Sequence, residues 1–220
     1  MHRSVDAIMT VLPVAVTLLA LPAAALRADD WPQWRGPNRD GVCNETGLME
    51  SFPADGLKVR WRAPVGWGWS SPVVAQGRVY VADSEVVPPQ PKERLHCFDE
   101  STGKAIWTHA YEVAYPDWAH DPKQESGPVA TPIVQNGKVY TVGRLGQLFC
   151  LDARTGDVLW QKNLETDYQV VWSPGTPSPL IEGDLLILLL GGKPDACVVA
   201  FHKDTGKEVD GHEVYQWSRQ

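Results

Sequence analysis

The chain has 220 residues, enough for one or two domains with real cores, and its hydrophobic content of 43% is ordinary for a folded protein. Its 19 Gly, 18 Pro and 10 Trp suit many short strands joined by tight turns. A net charge of −7 argues against a nucleic-acid or anionic-membrane partner, and it is unchanged when residues 1–25 are removed, because that takes away Arg3 and Asp6 together.

Residues 1–28 read as an export signal. His2 and Arg3 give a weak basic start, residues 7–21 an apolar core, and Ala23-Ala24-Ala25 a small-residue cleavage site. The alternative is an uncleaved anchor, since residues 7–26 nearly suffice to span a bilayer. Pro13, Pro22 and the alanine cluster favour cleavage, which predicts a periplasmic or secreted protein with no membrane insertion after processing. Residues 29–56 are irregular and open on Trp31-Pro32-Gln33-Trp34-Arg35-Gly36-Pro37-Asn38-Arg39-Asp40-Gly41. This aromatic, turn-rich stretch is expected to clasp the outside of the domain, with Arg35 and Arg39 solvated or ion-paired. Residues 57–63, Leu-Lys-Val-Arg-Trp-Arg-Ala, have the pattern of a single strand centred on Trp61.

From residue 70 the chain repeats. Each copy opens on a small residue and a proline: Ser71-Pro72, Thr131-Pro132 and Ser178-Pro179. A short apolar strand follows, then a glycine turn and a second strand: Gly77-Arg78-Val79-Tyr80, Gly137-Lys138-Val139-Tyr140 and Gly183-Asp184-Leu185-Leu186. A third strand runs into an Asp-x-x-Thr-Gly turn at 99–103 and 152–156, and a fourth carries Trp107 or Trp160 four residues after the glycine. The Asp side chain of such a turn accepts a backbone N–H two residues on, and Gly takes the positive φ that closes it. Strands are predicted near 71–75, 78–83, 94–99 and 105–110; near 131–135, 138–143, 147–152 and 158–162; and near 178–182, 184–190, 196–201 and 207–209. In the third copy His202 holds the Asp position, Thr205 and Gly206 are kept, and the Trp position is Asp210. Residues 210–220 show no further repeat and are expected to be an aberrant or disordered tail.

Four short strands per copy, at a period of about 45–60 residues, are the signature of a β-propeller blade. The predicted fold is therefore all-β: four-stranded antiparallel blades in an incomplete ring of about three, spanning residues 57–209. Residues 57–63 are the orphan outer strand of a final blade whose other strands come from further along a longer chain. Cys97 and Cys150 share a repeat position that holds Ala200 in the third copy, which marks a small buried core site rather than reactive thiols. Cys43 and Cys197 are left as a possible pair that sequence does not establish.

The Asp-x-x-Thr-Gly-x-x-x-Trp unit resembles the tryptophan-docking repeat of the pyrroloquinoline-quinone (PQQ)-like β-propellers. Asp99, Thr102, Gly103 and Trp107 carry the resemblance in the first copy, Asp152, Thr155, Gly156 and Trp160 in the second, and Thr205 and Gly206 in the third. The opening WPQWRGPNRDG resembles that of secreted bacterial BamB-like PQQ-repeat proteins. The resemblance implies that these residues are structural, each Trp wedging between adjacent blades. The same superfamily holds both quinoprotein dehydrogenases and a non-enzymatic assembly scaffold, so it leaves function open.

A four-stranded blade has two ends. One carries the tight turns; the other carries every long insertion of this chain, at residues 64–70, 84–93, 111–126, 164–175 and 191–195. Function on such scaffolds concentrates on the long loops. That face presents Trp67, Trp69, Tyr115, Trp118, Tyr168 and Trp172, with His120 among them. Trp67, Trp69, Trp118, His120 and Trp172 form the candidate binding face, for an envelope protein or a glycan; packing of these rings onto the rim is the competing reading. Asp117, His120, Asp121 and Glu125 cluster without a glycine-centred calcium loop and are read as a solvated loop. His109 is read as a rim residue. No catalytic, cofactor or metal residue is assigned. A quinoprotein of the resembled family would hold PQQ and Ca²⁺ on the axis, and its alcohol dehydrogenases carry a vicinal Cys-Cys pair that is absent here. The sequence thus favours an exported non-catalytic scaffold, with the N-terminal part of a PQQ- and Ca²⁺-dependent oxidoreductase as the alternative.

Overall fold

Glycine turns cut the alternating apolar pattern into hairpins, and hairpins with one buried face must stack. In the computed structural model, which describes residues 28–86, 90–115, 127–170, 177–193 and 196–209, they stack as three antiparallel sheets. The first holds β1 (Val73–Ala75), β2 (Arg78–Glu85), β3 (Lys92–Asp99) and β4 (Ala105–Glu112) in the order β1-β2-β3-β4. The second holds β5 (Ile133–Gln135), β6 (Lys138–Val142), β7 (Gln147–Asp152) and β8 (Val158–Asn163) in the same order. A five-residue helix, α1 (Leu164–Tyr168), capped by the Asn163 side chain, leads to the third sheet: β9 (Leu180–Glu182), β10 (Leu185–Gly192) and β11 (Ala196–His202). Its fourth strand is reduced to one bridge, Phe201 to Glu208.

These are propeller blades, and their strands fall within about two residues of the sequence expectation. The orphan segment 57–63 makes no ladder among the described residues, yet its Trp61 is docked. The export signal and the 210–220 tail lie outside the described residues, residue 28 apart. Among the described residues no helix is long and apolar enough to cross a membrane.

Two cores fill the seams between blades. Val73, Tyr80, Leu95 and Cys97 of the first blade meet Val134, Val139, Phe149 and Leu151 of the second. Ile133, Tyr140, Val142, Leu148 and Cys150 of the second meet Ile181, Leu186, Leu188, Val199 and Phe201 of the third. Cys97 and Cys150 are fully buried, and burial pushes both thiols up, Cys150 to about 11. Cys43 is exposed, Cys197 is partly buried, and neither is in a disulfide.

At the rim, each Trp reaches forward to the next blade. The Trp61 indole N–H donates to Glu100 O (2.7 Å), Trp107 to Ala153 O (3.2 Å) and Trp160 to Lys203 O (2.9 Å). Each ring lies on the turn glycine of that blade: Trp61 on Gly103, Trp107 on Gly156, Trp160 on Gly206. A Cβ at Gly156 would stand 2.7 Å from the Trp107 ring, at a φ of 80°. The turns themselves agree. Gly103, Gly156 and Gly206 N–H groups donate to the carbonyls of Asp99, Asp152 and His202, all at 2.8 Å. His202 stands in for Asp, its Nδ1 accepting from Asp204 N (3.2 Å) as the Asp152 carboxylate accepts from Arg154 N (2.8 Å). The basic residue of the Gly-basic-Val-Tyr strand reaches the same turn of the next blade: Arg78 to Ala153 O and Arg154 O, Lys138 to the Asp204 carboxylate.

At the axis, the small residue before each proline also reaches between blades. Thr131 Oγ1 accepts from Ser71 N (3.3 Å), and Ser178 Oγ accepts from Thr131 N (2.9 Å). The proline that follows cannot donate to a ladder, so it suits a strand start.

Candidate functional site

The long-loop face is built around residues 66–70, Gly-Trp-Gly-Trp-Ser. Trp67 bridges to the end of β2, donating to Ser84 O (3.0 Å) and accepting from Ser84 N (2.7 Å). Trp69 N and Ser70 N donate to Pro128 O at 2.8 and 3.1 Å. The glycines make this approach possible. A side chain at Gly66 would run into Ser84 O, and one at Gly68 would lie 3.3 Å from both Ala82 O and Pro128 O. With the glycines against the protein, the interleaved tryptophans turn outward. Trp67 is 48% and Trp69 63% exposed, beside exposed Val65.

Two buried charge clusters hold this ledge. Asp83 of β2 is fully buried and accepts from Gly66 N. Arg94 binds it through two parallel bonds, Nε to Oδ1 and Nη2 to Oδ2, both 2.8 Å, and His96 Nε2 lies 3.1 Å from Oδ1. Burial opposes ionisation of Asp83, but the bonds from His96, Arg94 and Gly66 outweigh it and hold the carboxyl far below the usual carboxylate range. Arg94 also meets Glu85 at 3.0 Å.

On the other side of the ledge, Glu93 of β3 is fully buried between the first two blades. It accepts from the Tyr111 hydroxyl, the Tyr115 hydroxyl (2.5 Å) and Arg144 N (3.1 and 3.2 Å). Burial pushes the Glu93 carboxyl up, against the pull of these donors, and lifts both tyrosines well above their ordinary range. Arg144, in the β6–β7 turn, extends Nη1 to Gly127 O (3.2 Å), and Gly127 packs directly on Trp67 O. The ledge thus rests on Asp83 of one blade and, through Gly127 and Pro128, on the turn of the next.

The aromatic residues expected on this face divide. Trp67 and Trp69 are exposed there; Tyr115 is instead buried on Glu93, and Tyr168 is half-buried with its ring 6.1 Å from Phe201. Trp118, His120 and Trp172, with Asp117, Asp121 and Glu125, lie outside the described residues. His109 sits in the seam between the first two blades rather than at the rim, its ring 4.7 Å from Phe149 and 5.9 Å from Tyr111. Its Nε2 is buried with no hydrogen-bond partner among the described residues, and burial lowers its pKa. Sequence reasoning missed Asp83, Glu93 and Arg144. Asp83 and Glu93 lie toward the long-loop ends of β2 and β3, Glu93 between Lys92 and Arg94, and Arg144 lies in the β6–β7 turn, where charge is ordinary, so the sequence does not mark them as buried.

Among the described residues no three His, Cys, Asp or Glu side chains converge as a metal would require. Asp83 and Glu93 have their oxygens taken by protein donors.

Comparison with known proteins agrees with the blade architecture. Over 103 residues the chain is 34% identical to the quinoprotein alcohol dehydrogenase PedH of Pseudomonas putida, covering 45% of this chain and 17% of that protein. It is 36% identical over 99 residues to a quinoprotein ethanol dehydrogenase of Pseudomonas aeruginosa, covering 43% of this chain and 15% of that one. The chain thus matches less than a fifth of the length of either relative. The structure of quinohemoprotein alcohol dehydrogenase from Comamonas testosteroni superposes with a TM-score of 0.58 at 23% identity, over 81% of this chain and 26% of that one. Residues 48–220 match the family described as outer membrane protein assembly factor BamB, and the chain belongs to this family of PQQ-like repeat propellers.

Proposed function

We propose that this chain belongs to an exported propeller that acts as a non-catalytic binding scaffold in the cell envelope, recognising a protein or a glycan through its long-loop face. The observation that carries the reading is the Trp67–Trp69 ledge. Two large rings stay exposed on a backbone fixed at Ser84 and Pro128, so binding costs little ordering of the site. Aromatic anchors on a rigid support are the usual centre of a recognition surface. Export agrees with the signal-like residues 1–28.

A second reading has its own support. The identity to two quinoprotein alcohol dehydrogenases favours the N-terminal part of a PQQ- and Ca²⁺-dependent oxidoreductase, its cofactor site completed by blades beyond these three. Calorimetric titration of PQQ with Ca²⁺ into the purified full-length protein separates the two. Binding near one equivalent overturns the scaffold. Absence of binding by folded protein, together with capture of an envelope component that is lost in a Trp67→Ala/Trp69→Ala variant, supports it.

A further inference from the structure

The N-terminal stretch does not clasp the outside of the domain. Asp30 accepts from Gln76 N (3.1 and 3.0 Å), in the turn between β1 and β2. Trp31 pairs with Val74 in both directions, Trp31 N to Val74 O at 2.8 Å and Val74 N to Trp31 O at 3.0 Å, on the edge of β1 that β2 leaves free. Pro32 O accepts from Val134 N (2.9 Å), on the matching free edge of β5. Arg39 reaches Glu182 at the end of β9 (3.5 Å). Val74, Val134 and Ile181 are the same position of the three repeats, two residues after Pro72, Pro132 and Pro179, and Glu182 follows Ile181 directly. The segment thus touches the first strand of each of the three described blades in turn, at one level. First strands are the inner strands of a propeller, and their free edges face its axis. The level is the tight-turn end, since Gln76 and Glu182 are at the β1–β2 and β9–β10 turns.

The segment is also folded on itself. Gly36 is buried on the Trp31 ring, 2.8 Å from where a Cβ would stand, at a φ of 81°. Gly41 N donates to Arg35 O (2.9 Å), and the Arg35 guanidinium to Asp40 O (3.0 Å). These bonds make residues 33–41 a closed loop hung from Trp31, with Gly36 and Gly41 both at positive φ.

We infer that residues 30–41 are an axial bar: they cross the inner edges of three consecutive blades at the tight-turn end, and leave the long-loop end as the way in for anything that binds at the axis. The bar satisfies edge amides that would otherwise face axial water, and it fixes the spacing of the inner strands.

Amide exchange tests this on the full-length protein. Val74 and Val134 are the gauges, because their N–H groups donate to the bar and not to a sheet neighbour. In the wild type both exchange as slowly as ladder amides of β2 and β6. In a Trp31→Ala variant, and in one lacking residues 29–41, both speed up together by at least tenfold while Tyr80 and Tyr140 amides keep their rates. Unprotected exchange of Val74 or Val134 in the wild type overturns the inference. So does protection that survives removal of residues 29–41, or a response of one gauge without the other. The wild-type measurement alone is decisive if either variant fails to fold.

Discussion

The two seams between blades share a rim and differ above it. At both, a tryptophan lies on a glycine and donates to a carbonyl of the next turn. Inward from that dock, the second seam is apolar, filled by Leu148, Leu164, Leu186, Leu188, Val199 and Phe201. The first carries His109, and Tyr111, Tyr115 and Arg144 around a buried Glu93. The repeat therefore fixes the dock, and the rest of each seam is free to diverge. The seam that diverged toward polar groups is the one beneath the exposed Trp67–Trp69 ledge. A buried polar network costs more than apolar packing unless every member is satisfied, but it holds its members in one geometry.

The comparison breaks first if the docks are unequal. Trp107→Ala and Trp160→Ala should each cost about 3 kcal/mol, read as matching shifts of the urea midpoint. A large loss at only one would show that the seams do not share a common rim. Next in size is Glu93→Leu, which removes the shared acceptor of two hydroxyls and one amide and should cost about 2–3 kcal/mol. Glu93→Gln keeps acceptors for part of the set and should cost about 1 kcal/mol.

The pH profile sharpens the contrast further. The Glu93 pKa is raised above 4.5, so the folded chain holds a proton that the unfolded chain releases; stability falls as pH rises from 4.5 toward the raised value. The His109 pKa is lowered below 6.5, so the unfolded chain binds a proton that the folded chain refuses; stability falls as pH drops through 6.5. Urea midpoints across pH should lose the acid-side fall in His109→Phe and the opposite trend in Glu93→Gln. Core variants of the second seam, such as Leu188→Ala, should lower every midpoint without changing the shape. The smallest effect is expected of His202→Asp, which restores the usual turn acceptor and should stabilise by about 0.5 kcal/mol, since the backbone bonds and Gly206 already set the turn.

Most of the blade architecture could be read from the sequence because it is local. A glycine turn, an alternating strand and a tryptophan at fixed spacing each declare themselves within ten residues, so β1 to β11 fell close to expectation. The bar did not, because Trp31 and Pro32 act through backbone atoms whose partners lie 43 and 102 positions away at Val74 and Val134, and irregular backbone has no period. The ledge was half legible. Trp67 and Trp69 stood out as large rings in a loop, but only the structure explains them: Gly66 and Gly68 are there to let the segment close on β2 and Pro128. Tyr115 and Tyr168 looked the same in sequence and are packed inward, because a loop aromatic carries no mark of the side it faces.

The docking bonds described at the rim and the axis run one way along the chain. Trp61, Trp107 and Trp160 dock on the blade that follows, and the amides of Ser71 and Thr131 find their acceptors in Thr131 and Ser178, one repeat later. On a ribosome, then, the first and second blades each emerge with an indole and an amide still waiting, and are completed only when the successor appears. Synthesis from the N-terminus would lay the ring down like overlapping shingles, every course fastened by the next.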